Sequence, residues 1–441
     1  RGEADDFPYH FDYWAPKADL NLRIKRVITL SSADKTVLSV SSVLGNPLIF
    51  KQRLWMREPD AKLFGYLARL PKLGAFIKDF GGLTRRRETP NGQWVIGQGY
   101  QPFNADRENS NAPLLNSEYV GRVADLPITA FSRIAQVADG LKPAASAAVR
   151  RRGFEAGFGG TRILIPRGVE TSQNRLRASY CDEPLTFQHI FQAIIVPDGH
   201  SDRAKILTAI LNSRIAVWYA FHGTASLGSD RPEVQQADLL RLPFPSPDDV
   251  PDKGAAAQAA LQLIAIVDDA MSRAKEAFPS QIDELRILRT IDQLTYQYFG
   301  LSPDEIAIID DTIEFILPAL QPHDGHFPKL WAEPDQLQRK WYADTLAVSL
   351  GEWFRGKKIG TCLVARSADL AILRLRLGGQ EGYAEEQVEE IGPVLEELSS
   401  HISHPLDGNF QLMPDLRVFV DDCLYLIKPM QVRFWLRSTA L

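Results

Sequence analysis

Cysteine is scarce in this chain and badly placed for a framework. Of 441 residues only Cys181, Cys362 and Cys423 are cysteine. Their wide spacing and odd number argue against a disulfide scaffold or zinc ribbon and favour a reducing, cytoplasmic setting. No apolar run reaches the roughly 18 residues that a membrane-crossing helix needs, so no membrane partner is expected. No secretory leader opens the chain. No Gly-x-x-x-x-Gly-Lys-Ser/Thr string occurs, which excludes a nucleotide-hydrolysing phosphate loop, and no Gly-x-Ser-x-Gly elbow presents a nucleophile. His323 with His326, and His401 with His404, have a spacing that a helical metal site could use. Neither pair has a cysteine or glutamate close by, and prolines break both segments. Internal repeats and low-complexity stretches are lacking.

What is present is a lopsided charge. The net charge is −5. Residues 1–180 carry a net +10 and residues 181–441 a net −15. That asymmetry suits a first part that meets a polyanion and a second part that meets water or protein. The positive part concentrates arginine in Arg85-Arg86-Arg87, in Arg150-Arg151-Arg152, and in the series Arg162, Arg167, Arg175 and Arg177. Each lies in or beside a loop with small residues, at Gly81-Gly82, Gly153 or Gly168. Guanidinium forks match phosphate oxygens, and glycine lets a backbone come close to a sugar-phosphate chain.

At this length two or three domains are expected. Period-two aromatics over 7–14 read as a strand, as does 22–30. Asp60–Leu70 reads as a helix with Leu63, Phe64 and Leu67 on one face. Thr161–Pro166 and Phe187–Val196 read as apolar strands. Short strands mixed with isolated helices, without βαβ alternation, indicate an α+β fold. Ser246–Gly254 has a linker's composition. Helices follow over 255–278 and 281–299, with Gly300 as C-cap, and a third starts at Ser302-Pro303-Asp304-Glu305. Residues 320–334 read as a second linker. Beyond them, strands over 359–365 and 370–377 form a hairpin, acidic helices follow around 384–400, then a strand over 417–427 and a helix from Gln431. The expected parts are 1–247, with a mixed sheet; 253–318, helical; and 330–441, a small α+β domain.

The segment 207–247 reads LTAILNSRIAVWYAFHGTASLGSDRPEVQQADLLRLPFPSP. An apolar helix ending in ILNS, an aromatic pair (Trp218, Tyr219), a small-residue loop with glycine and arginine, and a closing LPFP resemble the target-recognition region of N6-adenine DNA methyltransferases from bacterial restriction–modification and phage-defence systems. Gly159–Gly168 (GGTRILIPRG) is similar to the strand that leads into that region, with Thr161 where the family often has proline. The run IDQLTYQYFGLSPDEI is similar to the family's helical tail. The resemblance implies that residues 1–247 read double-stranded DNA. It further implies an S-adenosylmethionine-dependent catalytic domain upstream or in a partner chain, with other defence-system proteins as further partners.

The catalytic part itself is expected to lie elsewhere. Adenine N6 transfer needs an Asp/Asn-Pro-Pro-aromatic tetrapeptide around the flipped base, and this chain has no Pro-Pro dipeptide. Gly157-Phe158-Gly159-Gly160 precedes a strand instead of following one, which is the wrong order for a cofactor loop. Neither a catalytic residue nor a cofactor ligand is therefore expected here. The chain opens on Arg1 rather than Met, and a fragment or a processed protein is expected.

The candidate DNA contacts are the arginines above, together with Thr224, Ser226, Ser229 and Arg231 of the later loop. Hydroxyls pair with many acceptors and arginine pairs with guanine. Trp94, in a basic loop, is the candidate for stacking on a base; Trp218 and Tyr219 lie on an apolar helix, where core packing competes. Two other readings stand beside this one. One is a structural DNA- or protein-binding subunit of a defence complex without methylation. The other is a restriction component with a diverged nuclease site in 330–441, built around Asp421-Asp422. Pro59-Asp60-Ala61-Lys62 echoes a nuclease motif but suits an ordinary helix start, and Asp310-Asp311 reads as a solvated face.

Overall fold

The computed structural model describes residues 9–15, 27–28, 30, 34–79, 93–103, 114, 119, 123–137, 141–143, 148–170, 172–225, 227–228, 233–276, 284–320, 329–379, 382–385, 388–401 and 416–441. The chain divides into two compact units, Asp60–Ile313 and Arg1–Pro59 with Glu314–Leu441. The fold is α+β.

The chain begins with the antiparallel pair β1 (His10–Trp14) and β2 (Lys35–Ser39), then α1 (Val40–Gly45) and α2 (Ile49–Trp55). Of the period-two aromatics, Phe11, Tyr13 and Trp14 are strand residues, Tyr9 precedes the strand and Phe7 lies outside the described residues; Tyr13 packs on Phe50 with ring centroids 5.3 Å apart. Of the strand expected over 22–30, only Val27, Ile28 and Leu30 are described, and they form no ladder.

The unit Asp60–Ile313 takes in most of α3 (Glu58–Arg69), whose apolar stripe buries Leu63 and Leu67. Strands follow: β3 (Ile77–Asp79), β4 (Trp94–Gln98), β5 (Ala124–Leu126), β6 (Ile134–Ala135), β7 (Lys142–Pro143), β8 (Arg162–Pro166) and β9 (Ser179–Cys181). The strand expected over 187–196 is two strands, β10 (Thr186–Phe187) and β11 (Phe191–Ile195), because the chain turns through Gln188–Ile190. A mixed sheet runs in the order β3-β4-β11-β8-β9-β6. β8 and β11 are buried at every position, the polar Arg162 and Gln192 included, as strands of a doubly covered sheet should be. Beside it Phe158, Phe187 and Phe191 pack edge to face, with 5.1 Å between the first two rings.

Helices then accumulate: α4 (Ser201–Asn212), α5 (Arg214–Gly223), α6 (Gln236–Leu239), α7 (Lys253–Ala274), α8 (Glu284–Tyr298) and α9 (Pro303–Asp311). α4 packs on α7 and α8. The segment expected to be a linker, Ser246–Gly254, is ordered. Asp249 accepts from the Ser246 N–H at 2.7 Å, and Asp252 caps α7 by accepting from the Ala255 N–H at 2.9 Å. The Ser302–Glu305 capping box starts α9 as its sequence requires.

The second unit resumes with α10 (Leu317–Leu320), α11 (Gln336–Trp353), β12 (Ile359–Arg366), β13 (Leu370–Leu377), β14 (Gly382–Ala384), β15 (Glu389–Glu390), α12 (Ile391–Ser400), β16 (Leu416–Val420) and β17 (Cys423–Pro429). Its sheet order is β14-β12-β13-β17-β16, with β15 also on β12. The expected β12–β13 hairpin is present. The single strand expected over 417–427 is a hairpin instead, turned at Asp421 (φ +52°) and Asp422. The helix expected from Gln431 is two short 3-10 turns, and Trp435 is buried against Tyr342.

Candidate nucleic-acid interface

β11 runs antiparallel to both β4 and β8. Those two strands therefore finish at the end of the sheet where β11 starts. The Arg150 triplet is bound to this end. Arg150 donates its N–H to the Gln101 carbonyl at 2.8 Å, Gln101 donates to the Arg151 carbonyl at 2.9 Å, and Phe154 donates to the Gln98 carbonyl at 2.8 Å. Glycine makes this approach possible. A Cβ on Gly153 (φ +66°) would lie 2.3 Å from the Gly99 oxygen, and one on Gly99 would lie 2.0 Å from the Phe187 oxygen. The glycine beside the triplet thus serves close packing of backbone on backbone, which corrects the expectation that it serves approach to DNA.

The row continues across the sheet end. His189 donates its N–H to the Tyr100 carbonyl at 2.7 Å, Arg167 donates to Ile190 at 2.9 Å, and Val234 donates to Arg167 at 3.0 Å. Arg150 and Arg151 are exposed and Arg152 is half-buried. Arg167 is half-buried and paired with Glu233 at 2.9 Å. Glu233 is bridged to Gly168, next to Arg167, at the same sheet end. Arg177, two residues before β9, lies over the Phe131 ring at 5.7 Å. Because β9 is antiparallel to β8, Arg177 also belongs to this end.

Two expected phosphate contacts are corrected. Arg162 is fully buried and spends its guanidinium on backbone carbonyls, Gly160 at 2.7 Å and Glu183. Burial pulls its pKa below the usual guanidinium range. Arg175 is buried and grips Asp292 with both terminal nitrogens, one bond at 2.8 Å. A guanidinium closed off from water in this way cannot reach a phosphate. Trp94 is corrected as well: it begins β4, is 4% exposed, and donates its indole N–H to His200 Nδ1 at 3.2 Å. Thr224 is buried, and its hydroxyl oxygen accepts from the Leu227 N–H at 3.4 Å. Trp218 and Tyr219 are both core residues, Tyr219 stacked on Phe64 at 4.8 Å. Arg85, Arg86, Arg87, Ser226, Ser229 and Arg231 lie outside the described residues.

The segments that carry the family resemblance meet in space. Asn212 of ILNS closes on a strand end: its amide donates to the Ala178 carbonyl at 2.9 Å and its oxygen accepts from the Ala178 N–H at 3.2 Å. The next residues bind the helical tail. The Arg214 N–H donates to Asp292 at 2.9 Å, and its guanidinium reaches Asp310 at 2.6 Å. Tyr296 donates to Asp310 at 2.7 Å, so Asp310 belongs to a polar network and not to a solvated face. The LPFP segment is held by Tyr298, whose hydroxyl donates to Pro245 at 2.7 Å. These motifs knit the scaffold that carries the sheet end.

Four residues of interest escaped the sequence reading. Gln101 and His189 sit inside the basic row and are half-buried. Burial and the neighbouring Arg167 hold the His189 pKa below the usual imidazole range. Arg133, almost excluded from water, binds Glu170 and Glu284. Lys72 donates to the Leu67 carbonyl at 2.9 Å and to the Tyr219 hydroxyl at 3.3 Å, and burial lowers its pKa to about 8.

No known family profile and no curated protein matches the chain. Among solved structures it is similar to the Type IIL restriction-modification enzyme MmeI in complex with DNA. The identity is 12% and the TM-score 0.28, over 50% of this chain and 34% of that one. The chain thus spans about a third of that enzyme's length. At so low a score the likeness carries no argument, and the functional reading rests on this chain's own residues.

The residues present do not fit S-adenosylmethionine at the glycine string. Glu155–Phe158 is a 3-10 turn leading into β8, with Gly157 and Phe158 buried, and lacks the strand–loop–helix order. Asp421 and Asp422 are hairpin-turn residues, and Asp422 pairs with Arg376 at 3.0 Å. Among the described residues no helix is long and apolar enough to cross a membrane.

Proposed function

We propose that the unit Asp60–Ile313 binds double-stranded DNA as the target-recognition part of an N6-adenine DNA methyltransferase of a restriction–modification or phage-defence system. In this reading methyl transfer belongs to an S-adenosylmethionine-dependent catalytic domain outside this sequence, and other defence proteins are further partners. The supporting observation is the row at one sheet end, where Arg150, Arg151 and Arg167 sit on hydrogen-bonded backbone and Arg177 lies over the Phe131 ring. Arginine held on rigid sheet ends suits phosphate contact, which fixes register before bases are read.

The test is duplex binding by this chain across a salt series. Binding that weakens log-linearly with salt, with a slope of about 0.9 per phosphate neutralised, supports the reading. No binding at low salt overturns it. Residues 314–441, with 13 Lys+Arg against 18 Asp+Glu, are assigned to protein contact.

A further inference from the structure

The basic row has an uncharged middle. From the Arg150–Arg151 segment to Arg167 the backbone takes three hydrogen-bonded steps: Gln101 on Arg151, His189 on Tyr100, and Arg167 on Ile190. At about 4.8 Å per step, the flanking arginines stand about 14 Å apart. A major groove is about 12 Å wide and a minor groove about 6 Å, so the row matches the wider one. Both middle residues are held by their own backbone. Gln101 uses its N–H on Arg151 and its carbonyl on Arg150, and His189 uses its N–H on Tyr100. Tyr100 is itself fixed, donating its hydroxyl to the buried Asp125 at 2.9 Å.

We propose that Gln101 and His189 are the base-reading residues of this interface, entering the major groove between phosphate contacts made by Arg150 and Arg151 on one side and Arg167 on the other. The inference rests on the DNA-binding reading above and adds to it which groove is entered and which side chains carry specificity. The chemistry fits. A glutamine amide pairs with N6 and N7 of adenine, and an imidazole nitrogen can donate to or accept from a base edge. His189 Nδ1 is buried with no hydrogen-bond partner among the described residues, so Nε2 is the nitrogen assigned to the base. His189 is bonded to Tyr100, the residue before Gln101, so the two stand on neighbouring backbone segments and are assigned to neighbouring base pairs.

The experiment selects duplexes from a pool with a randomised centre, using this chain and the variants Gln101→Glu, His189→Asn and His189→Gln. Circular dichroism checks that each variant folds. Each substitution is expected to change base preference at one or two adjacent positions by roughly 5- to 100-fold. Dimethyl sulfate footprinting of the unaltered chain adds a readout that no variant's folding can affect: guanine N7, in the major groove, is expected to be protected. An unchanged motif in all three variants, or protection confined to minor-groove probes, overturns the inference while leaving duplex binding intact. If the unaltered chain binds no duplex, both readings fall together.

Discussion

Arg175 and Asp292 are locked side by side, with guanidinium nitrogens on both carboxylate oxygens and side chains only 6% and 7% exposed. Arg175 precedes β9 and Asp292 lies in α8, so one ion pair fastens the sheet to the helical tail. Asp292 also accepts the Arg214 N–H, which places the start of α5 on the same anchor.

Breaking that pair should cost far more than a surface ion pair. Arg175→Met strips the buried Asp292 of its bidentate partner and leaves only Arg214, with Nε at 3.4 Å, and a loss of about 3 kcal/mol is expected in urea unfolding. Arg175→Met combined with Asp292→Leu should recover part of that loss, because neither charge then remains buried. A single substitution that costs under about 0.5 kcal/mol would mean that the pair is open to water.

Gly153 should tolerate no side chain. Its φ is +66° and a Cβ would meet the Gly99 oxygen at 2.3 Å. Gly153→Ala is expected to cost at least about 2 kcal/mol, or to detach the Arg150 segment from Gln101. Amide hydrogen exchange at Gln101 and Phe154 distinguishes the two outcomes, and unaltered protection with unaltered stability would count against the packing described.

Lys72 gives a pH signature. Unfolded, it holds its proton to the ordinary 10.5; folded, burial brings this to about 8. Between those values the folded chain binds fewer protons, so this group's contribution to stability rises with pH. Below about 8 both states are protonated and the contribution is constant. The stability of the unaltered protein relative to Lys72→Met should therefore grow between pH 8 and 10, as measured by urea unfolding at each pH. A difference that shrinks over that range would reverse the assignment.

The helices and the hairpin of the second unit were legible in the sequence because local signals decide them. Ser302 and Glu305 form a capping box, and the apolar periods of α7 and α8 need no tertiary information. The roles of the arginines were not. Arg162 heads the run RILIP, and only the sheet order shows that β8 lies between β11 and β9, where no side chain meets water. Its position in a continuous apolar strand was the available warning. Arg175 needed Asp292, 117 residues away, to explain it. Trp94 read as a loop residue because the glycines after it suggested a turn, whereas they let the Arg150 segment and Phe187 approach β4. Gln101 and His189 carry no local signal; their grouping is a product of strand register.

The most direct measurement compares the salt dependence of duplex binding for the unaltered chain, for Arg150→Ala with Arg151→Ala and Arg167→Ala, and for Arg355→Ala with Lys357→Ala and Lys358→Ala. The last set removes the same charge from an exposed segment of the other unit. If the basic sheet end meets the phosphates, the first triple variant loses affinity and its slope falls by up to about 2.7, while the control triple keeps both. Equal losses in the two triples, or none in either, would show that this sheet end is not where DNA binds.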